Sequence, residues 1–238
     1  MDRQIRSFFI LGISCCICFG CFFNAVNAQE RIGRAAIVRN DVSQIAPRVI
    51  KISSGDEIFR DETVRTAADS DAKFVLRDDT NLSLGPGSTL KLDRAVFSGE
   101  TNVGQITVKL TSGAFRFITG NSTKESYKIA TPLATIGVRG TTLDFLVQKN
   151  RNIVVLQDGK ARVCSGGQCV ELLIPGDSAI ITATNGKIKI TPVSGPPWTF
   201  AVACSANAAL CNQTMFAELS TPDAPGIVVD LASALCGR

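Results

Sequence analysis

ATPLATIGVRGTTLDF, residues 130–145, has the apolar and β-branched residues of a buried strand, but it sets an arginine between two glycines and a carboxylate after two threonines. A glycine inside a strand usually marks a bulge or a close approach of two chain segments. An arginine in an apolar strand needs an acceptor, so Arg139 is expected to pair with Asp144 or with neighbouring backbone. We therefore interpret this set of residues as a structural signature: Thr131, Pro132, Gly137, Arg139, Gly140, Thr141 and Asp144.

The strand pattern continues on both sides of this stretch, from Ala35 to about Pro192. Short alternating runs, such as ITVKL at 106–110 and IVVL at 153–156, recur about every 8 to 12 residues with Gly, Asp, Asn or Pro between them. No segment of this region has the pattern of a long amphipathic helix. These observations predict an all-β fold, either a twisted β-sandwich or a short β-solenoid.

The character of the sequence changes after Pro192, where SGPP at 194–197 predicts a turn or stiff linker. The alanine-rich run FAVACSANAALCNQTMFAEL at 200–219 favours one or two short helices packed on the β domain. We expect three parts: a signal peptide at 1–28, a β domain at 29–192, and a cysteine-containing C-terminal extension at 193–238 that is helical or irregular.

The N-terminus has the three regions of an export signal. Arg3 and Arg6 supply a short positive region, residues 7–23 are apolar, and small residues end at Ala28. Cleavage is expected between Ala28 and Gln29, which predicts a periplasmic or secreted protein. The apolar run is slightly long for a signal, so an uncleaved N-terminal helix anchored in the inner membrane is the alternative, and it is the only expected contact with a membrane.

Five of the nine cysteines remain after the predicted signal: Cys164, Cys169, Cys204, Cys211 and Cys236. An oxidising compartment favours disulfides over metal ligation. Cys164 and Cys169 flank a four-residue turn between two strand-like runs, which predicts a bridge across a hairpin. On a continuous helix, Cys204 and Cys211 would be about 10 Å apart, beyond disulfide reach. Pairing of Cys211 or of Cys204 with Cys236 therefore stays open.

The composition excludes several classes of function. The chain has no histidine, which removes Ser-His-Asp and Cys-His mechanisms and every imidazole metal site. Without Asp2, Arg3 and Arg6, 23 basic and 20 acidic side chains remain, and the basic ones are scattered in sequence rather than clustered as nucleic-acid binding requires. No cofactor is expected, because GVRGT at 137–141 lacks the spacing of a phosphate-binding loop.

The remaining polar candidates have weak patterns. DDTN at 78–81 offers oxygen ligands but not the spacing of a calcium loop, so a solvated turn is expected there and no metal site. Glu100 and Asp144 are the carboxylates that an acid/base enzyme would need, but nothing in the sequence sets their separation. We expect no catalytic residues. For a protein that binds a small ligand or a glycan, the aromatic candidates are Phe115, Phe117, Tyr127 and Trp198.

TPLATIGVRGTTLDF resembles the signature of the FecR domain, the exported domain of iron-dicitrate sensor proteins. Other segments agree with the family in the expected order over about residues 50–165: SGDEIFRDETVRT, FVLRDDTNLSLGPGSTLKLD, VKLTSGAFRFITG and IVVLQDGKARV. The resemblance implies an all-β exported module, in agreement with the strand periodicity. It offers no catalytic residues.

The resemblance also implies a function in protein binding. In the sensors, a cytoplasmic anti-sigma segment and a membrane helix precede the exported domain, which contacts the signalling domain of an outer-membrane transporter. Only six residues precede the apolar run in this sequence, so the anti-sigma segment is not expected here. The leading hypothesis is a non-enzymatic interaction, scaffold or signalling module that binds another envelope protein. A protein that binds a small ligand or a glycan is the alternative.

Overall fold

The computed structural model describes residues 29–45, 49–97, 103–122 and 127–214. The predicted signal with its cleavage site after Ala28, the candidate acid Glu100 and the cysteine Cys236 lie outside these residues. The described chain forms fifteen strands, a short α-helix (α1) and a 3-10 turn. Their bounds are β1 Arg31–Arg39, β2 Val42–Ile45, β3 Val49–Lys51, β4 Glu57–Phe59, β5 Thr63–Thr66, β6 Asp71–Leu76, β7 Asn81–Leu84, β8 Thr89–Phe97, β9 Val103–Ile118, β10 Tyr127–Ala130, β11 Thr135–Gln148, β12 Arg151–Ser165, β13 Gln168–Leu172, β14 Ser178–Thr184, β15 Lys187–Val193, α1 Ala201–Ala206 and the 3-10 turn Ala208–Leu210.

The prediction of an all-β fold with a short helical or irregular C-terminal segment is confirmed. The strands form one hydrogen-bonded network, whose main path runs β15-β14-β12-β11-β10-β9-β7-β6-β1-β4. Most neighbours are antiparallel, whereas β10 runs parallel to β9. The inner face of this sheet surrounds a single apolar core, to which nearly every strand contributes. In the described part of the chain, no helix is long and apolar enough to span a membrane.

Three long strands bend and change partners half-way along. The first half of β11 pairs with β10, and its second half pairs with β9. Similarly, β12 pairs with β14 through its first half and with β13 through its second half. Each bend contains a glycine with positive φ, namely Gly113 in β9 (φ 109°), Gly140 in β11 (φ 59°) and Gly159 in β12 (φ 81°). Glycine is needed there because other residues rarely adopt this conformation.

The bends of β11 and β12 lie against each other. A Cβ atom on Gly159 would stand 1.9 Å from the carbonyl oxygen of Gly140, so backbone packs directly on backbone. The β11–β12 register shifts between Arg139 and Thr142, which is the bulge that the sequence predicted. The shift changes which side chains face the core: Ile136 and Val138 are buried before it, and odd-numbered residues such as Leu143 are buried after it.

Gly137 is different from the glycines of the bends. Its φ is not positive, and a Cβ atom there would meet nothing within 4 Å. The predicted role of Gly137 in a bulge or a close approach is therefore wrong, because the bend is formed two to five residues further on. Neither the backbone conformation nor the packing requires a glycine at this position.

Candidate functional site

The signature stretch carries two polar side chains that the bend separates. Asp144 is completely buried and forms a two-pronged ion pair with Arg116, with Nε–Oδ1 and Nη2–Oδ2 distances of 2.6 and 2.8 Å. It also accepts from the side-chain amide of Gln157 at 3.0 Å. Arg139 is exposed on the other side of the bend. The expected Arg139–Asp144 pair is therefore wrong, because the bulge turns the two halves of β11 toward different neighbours.

Asp144 belongs to a polar row that crosses four strands. In register, Lys73 lies opposite Ser83, Ser83 opposite Arg116, and Arg116 opposite Asp144. Directly opposed residues point to the same face of a sheet, so this row forms a strip on the outer surface. The strip is nonetheless buried, since residues 198–214, which we call the C-terminal cap, cover it. The predicted extension thus packs on the β domain.

The cap is held at both ends by the polar row. At one end, the backbone amide of Phe200 donates to Asp144 at 2.9 Å, and the guanidinium carbon of Arg116 lies 5.8 Å from the centre of the Phe200 ring. At the other end, the Lys73 ammonium donates to the carbonyl oxygens of Ala209 and Asn212 and to the Thr214 hydroxyl. Burial lowers the pKa of Lys73 from 10.5 to about 8. The three oxygen atoms that bind the Lys73 ammonium come from different residues of the cap and lie close together only when the cap is folded.

Two cysteine pairs lie at disulfide distance. Cys164 and Cys169 are directly opposite in the β12–β13 hairpin with a Cα–Cα distance of 4.1 Å, at the place where the sequence predicted a bridge. Cys204 and Cys211 are bonded within the cap with a Cα–Cα distance of 5.7 Å. The premise of a continuous helix was wrong: α1 ends at Ala206, Asn207 is extended, and a 3-10 turn brings Cys211 back.

The other half of the signature stretch lies on an open surface, which we call the basic face. Lys128, Gly137, Arg162 and Glu171 are neighbours in register across β10, β11, β12 and β13. On the next row, Arg139 lies opposite Lys160. All of these residues are exposed. A groove of about 360 Å³ runs over Gly137, and its lining residues include Arg139, Lys160, Arg162, Glu171 and Leu173.

The charges of the basic face are unbalanced. Glu171 forms an exposed ion pair with Arg162, with a distance of 3.3 Å between Nε and Oε1. Within the residues that the structure describes, the side chains of Lys128, Arg139 and Lys160 have no carboxylate within ion-pair distance. The sequence did not reveal this cluster, because its members are spread over 35 residues and meet only when β10, β11 and β12 align.

Of the four aromatic candidates for ligand binding, three belong to the core. Phe115, Phe117 and Tyr127 are at most 4% exposed, and the rings of Phe117 and Tyr127 pack edge to face with centroids 5.8 Å apart. Trp198 is half-buried in the cap. The structure therefore offers no aromatic strip for a sugar or a planar ligand in the described residues.

The DDTN turn is buried, so the prediction of a solvated turn is wrong. Asp78 is 1% exposed and accepts from the Tyr127 hydroxyl at 2.6 Å and from the Thr80 hydroxyl at 2.9 Å. Burial and the contact with Asp78 raise the pKa of Tyr127 to about 12. The Asp78 carboxylate thus binds donors of the protein itself. In the described ranges, no three His, Cys, Asp or Glu side chains are grouped as a metal site requires.

Comparison with known proteins agrees with the FecR resemblance. Residues 62–162 match the family described as FecR protein, and this region runs from just before β5 into the second half of β12. No curated protein sequence matches the chain. Two crystal structures of a candidate anti-sigma factor from Parabacteroides distasonis are similar, both with a TM-score of 0.46. One is 19% identical and the alignment covers 56% of this chain and 60% of that protein; the other is 17% identical with 60% and 64% covered. This chain thus spans less than two thirds of either structure.

Proposed function

We propose that this chain, whose residues 62–162 form a FecR domain, is an exported, non-enzymatic protein that binds another protein of the cell envelope. It acts in the periplasm, or as a secreted protein, as a signalling or scaffold module. The FecR match supports a regulatory role, and the export signal predicted for residues 1–28 supports the location. An inner-membrane anchor formed by an uncleaved signal is the alternative location.

The observation that carries this proposal is the position of the exposed aliphatic side chains. Among the described residues, five large aliphatic side chains are exposed, and all lie in or directly after strands that pair on one side: Val49 and Ile50 in β3, Leu173 and Ile174 after β13, and Ile188 in β15. Edge strands present free backbone donors and acceptors, and proteins usually protect them with charge or proline. Aliphatic residues there favour addition of a partner strand.

The structure gives less support to the other classes of function. Asp144 is completely buried and already receives four hydrogen bonds from Arg116, Gln157 and Phe200, so its carboxylate is occupied by partners within the protein. A small-ligand or glycan site built on Phe115, Phe117 and Tyr127 would require these rings to leave the core. Protein binding needs no such rearrangement.

Site-specific photo-crosslinking in intact cells tests the proposal. A photoreactive residue is placed at Ile174 or Ile188, and a matched control is placed at Asn40, which is exposed between β1 and β2. We expect a discrete crosslinked envelope protein from at least one edge position and none from Asn40. The absence of any adduct from both edge positions would contradict the proposal.

A further inference from the structure

We propose that the basic face binds an acidic segment of the partner protein that also carries aliphatic side chains. This inference rests on the proposed protein-binding function and assigns the recognition to one surface. The segment lies along the groove over Gly137, places carboxylates against Arg139, Lys160 and Arg162, and contacts Leu173 with an aliphatic side chain.

Gly137 indicates that a ligand approaches β11 from outside. Glycine weakens a strand because it gains no side-chain packing and loses the most conformational freedom on folding. Gly113, Gly140 and Gly159 compensate by allowing bends that other residues do not allow. Gly137 allows nothing of that kind, and any side chain there would project into the open groove rather than into the protein. We therefore attribute Gly137 to a ligand that approaches β11 from the solvent side and needs the space above it.

The charge around the groove favours an acidic ligand. Arg139 and Lys160 are opposite each other, and Lys128 and Arg162 lie on either side of Gly137 in register. These four cationic side chains face solvent on one small area. Glu171 lies among them and forms an ion pair with Arg162. Arginine presents a planar fork of donors that matches a carboxylate. An acidic ligand would remove the mutual repulsion of these side chains.

The exposed aliphatic side chains at the groove favour a peptide over a charged polysaccharide. Leu173 lines the groove, and Ile174 follows it; they are 53% and 65% exposed. A polysaccharide would gain nothing from two aliphatic side chains. A segment that carries both acidic and aliphatic residues matches both features, because the cations and Leu173 line the same groove.

The binding of a labelled octapeptide of alternating glutamate and leucine tests the inference by fluorescence anisotropy. The probe should bind the full chain, and an octapeptide of alternating lysine and leucine should not. The double variant Arg139→Glu, Lys160→Glu should weaken binding by about tenfold or more. The matched control Lys187→Glu, Lys189→Glu on β15 removes the same charge from another exposed strand and should change the dissociation constant by less than about twofold.

Gly137→Val distinguishes the groove from charge alone. This variant keeps every cation, and it should fold with an unchanged or higher Tm while its affinity for the acidic probe falls at least about fivefold. Unchanged affinity of the Gly137→Val variant would show that the groove is not the binding site. Equal effects of the two charge-reversal variants, or tighter binding of dextran sulfate than of the peptide, would overturn the acidic segment as ligand.

The photo-crosslinking experiment separates this inference from the function on which it rests. If the Arg139→Glu, Lys160→Glu variant no longer gives the envelope adduct from Ile174, the inference is supported. If the same adduct forms with undiminished yield, protein binding stands and the basic face is not its site.

Discussion

The backbone amide of Phe200 donates to the buried carboxylate of Asp144 at 2.9 Å, which joins the C-terminal cap to the signature strand. The same carboxylate receives the guanidinium of Arg116. One side chain of the signature therefore connects two neighbouring strands and a segment that is distant in sequence. The signature residue Asp144 stabilises the covered part of the sheet, whereas Gly137 and Arg139 shape the open part.

Asp144→Asn should destabilise the protein strongly. The substitution leaves the largely buried Arg116, whose side chain is 14% exposed, without its counter-charge, and breaking a buried ion pair costs about 3–5 kcal/mol. The control is Glu171→Gln, which breaks the exposed pair with Arg162 and should cost less than about 1 kcal/mol. The free energy of unfolding from urea titration measures both. Equal losses in the two variants would show that the Asp144 pair contributes no more than a surface pair.

Lys73 should make stability increase with pH above 8. Its folded pKa is about 8 and its ordinary value is 10.5, so between these values the unfolded chain binds a proton that the folded chain has released. The cost of burying the charge, up to about 3 kcal/mol, is present below pH 8 and disappears as pH rises.

Lys73→Met is the reference for this effect. The difference in unfolding free energy between the wild type and this variant should shift in favour of the wild type from pH 7.5 to pH 9.5, by about 2 kcal/mol. The range stops below pH 10 because Tyr127 has a raised pKa of about 12, so its stabilising contribution is lost above its unfolded value of 10. A difference that stays constant with pH would contradict the lowered pKa of Lys73.

Loss of the Cys204–Cys211 bond should release the cap without unfolding the β domain. The bond closes a loop of a few residues, which stabilises by about 2 kcal/mol. Cys204→Ser with Cys211→Ser should therefore become sensitive to limited proteolysis within residues 198–214. Cys164→Ser with Cys169→Ser is the control and should leave the cap protected, since that pair lies in the β12–β13 hairpin. Equal protection of the cap in both double variants would be the contrary result.

The glycines of β11 and β12 should respond oppositely to alanine. Gly159→Ala places a methyl group against the Gly140 carbonyl at a positive φ and should cost at least about 2 kcal/mol. Gly137→Ala should instead be neutral or stabilising by about 0.5–1 kcal/mol, because the position is extended and open. Thermal unfolding of the two single variants measures the contrast, and a loss at Gly137 equal to that at Gly159 would refute it.

Export should leave a mature chain that begins at Gln29. N-terminal sequencing of the protein from the periplasmic or secreted fraction measures this directly. Ala28→Arg places a large charged residue at the proposed cleavage point and should cause the precursor to accumulate. Recovery of intact Met1 in the membrane fraction of the unaltered protein would instead establish the N-terminal anchor.

Local patterns predicted much of the fold. The alternation in ITVKL and IVVL and the turn residues between the runs indicate strands, because side chains alternate between the two faces of a strand whatever its partners are. The same is true of Cys164 and Cys169, whose separation across a turn makes them neighbours in any hairpin of that register. The local sequence of residues 130–145 also predicted a bend at Gly140, because a glycine inside a strand usually marks one.

The candidate site could not be predicted in the same way. The partner of Asp144 is Arg116, 28 residues earlier, and no local pattern distinguishes it from Arg139, five residues away. The Cys204–Cys211 pair depends on the interruption at Asn207, which an alanine-rich composition conceals. The burial of Asp78 depends on Tyr127, which approaches from β10.

The sequence by itself determined an all-β fold with a bend at its signature strand, because strand periodicity and glycine conformation are properties of neighbouring residues. Only the tertiary structure decided which side chains meet: Asp144 with Arg116 under the cap, and Arg139, Lys160 and Arg162 around an open groove, with Lys128 on the neighbouring strand. The physical reason is register. Strands far apart in sequence place their side chains together only after the bends of β9, β11 and β12 have set how those strands align.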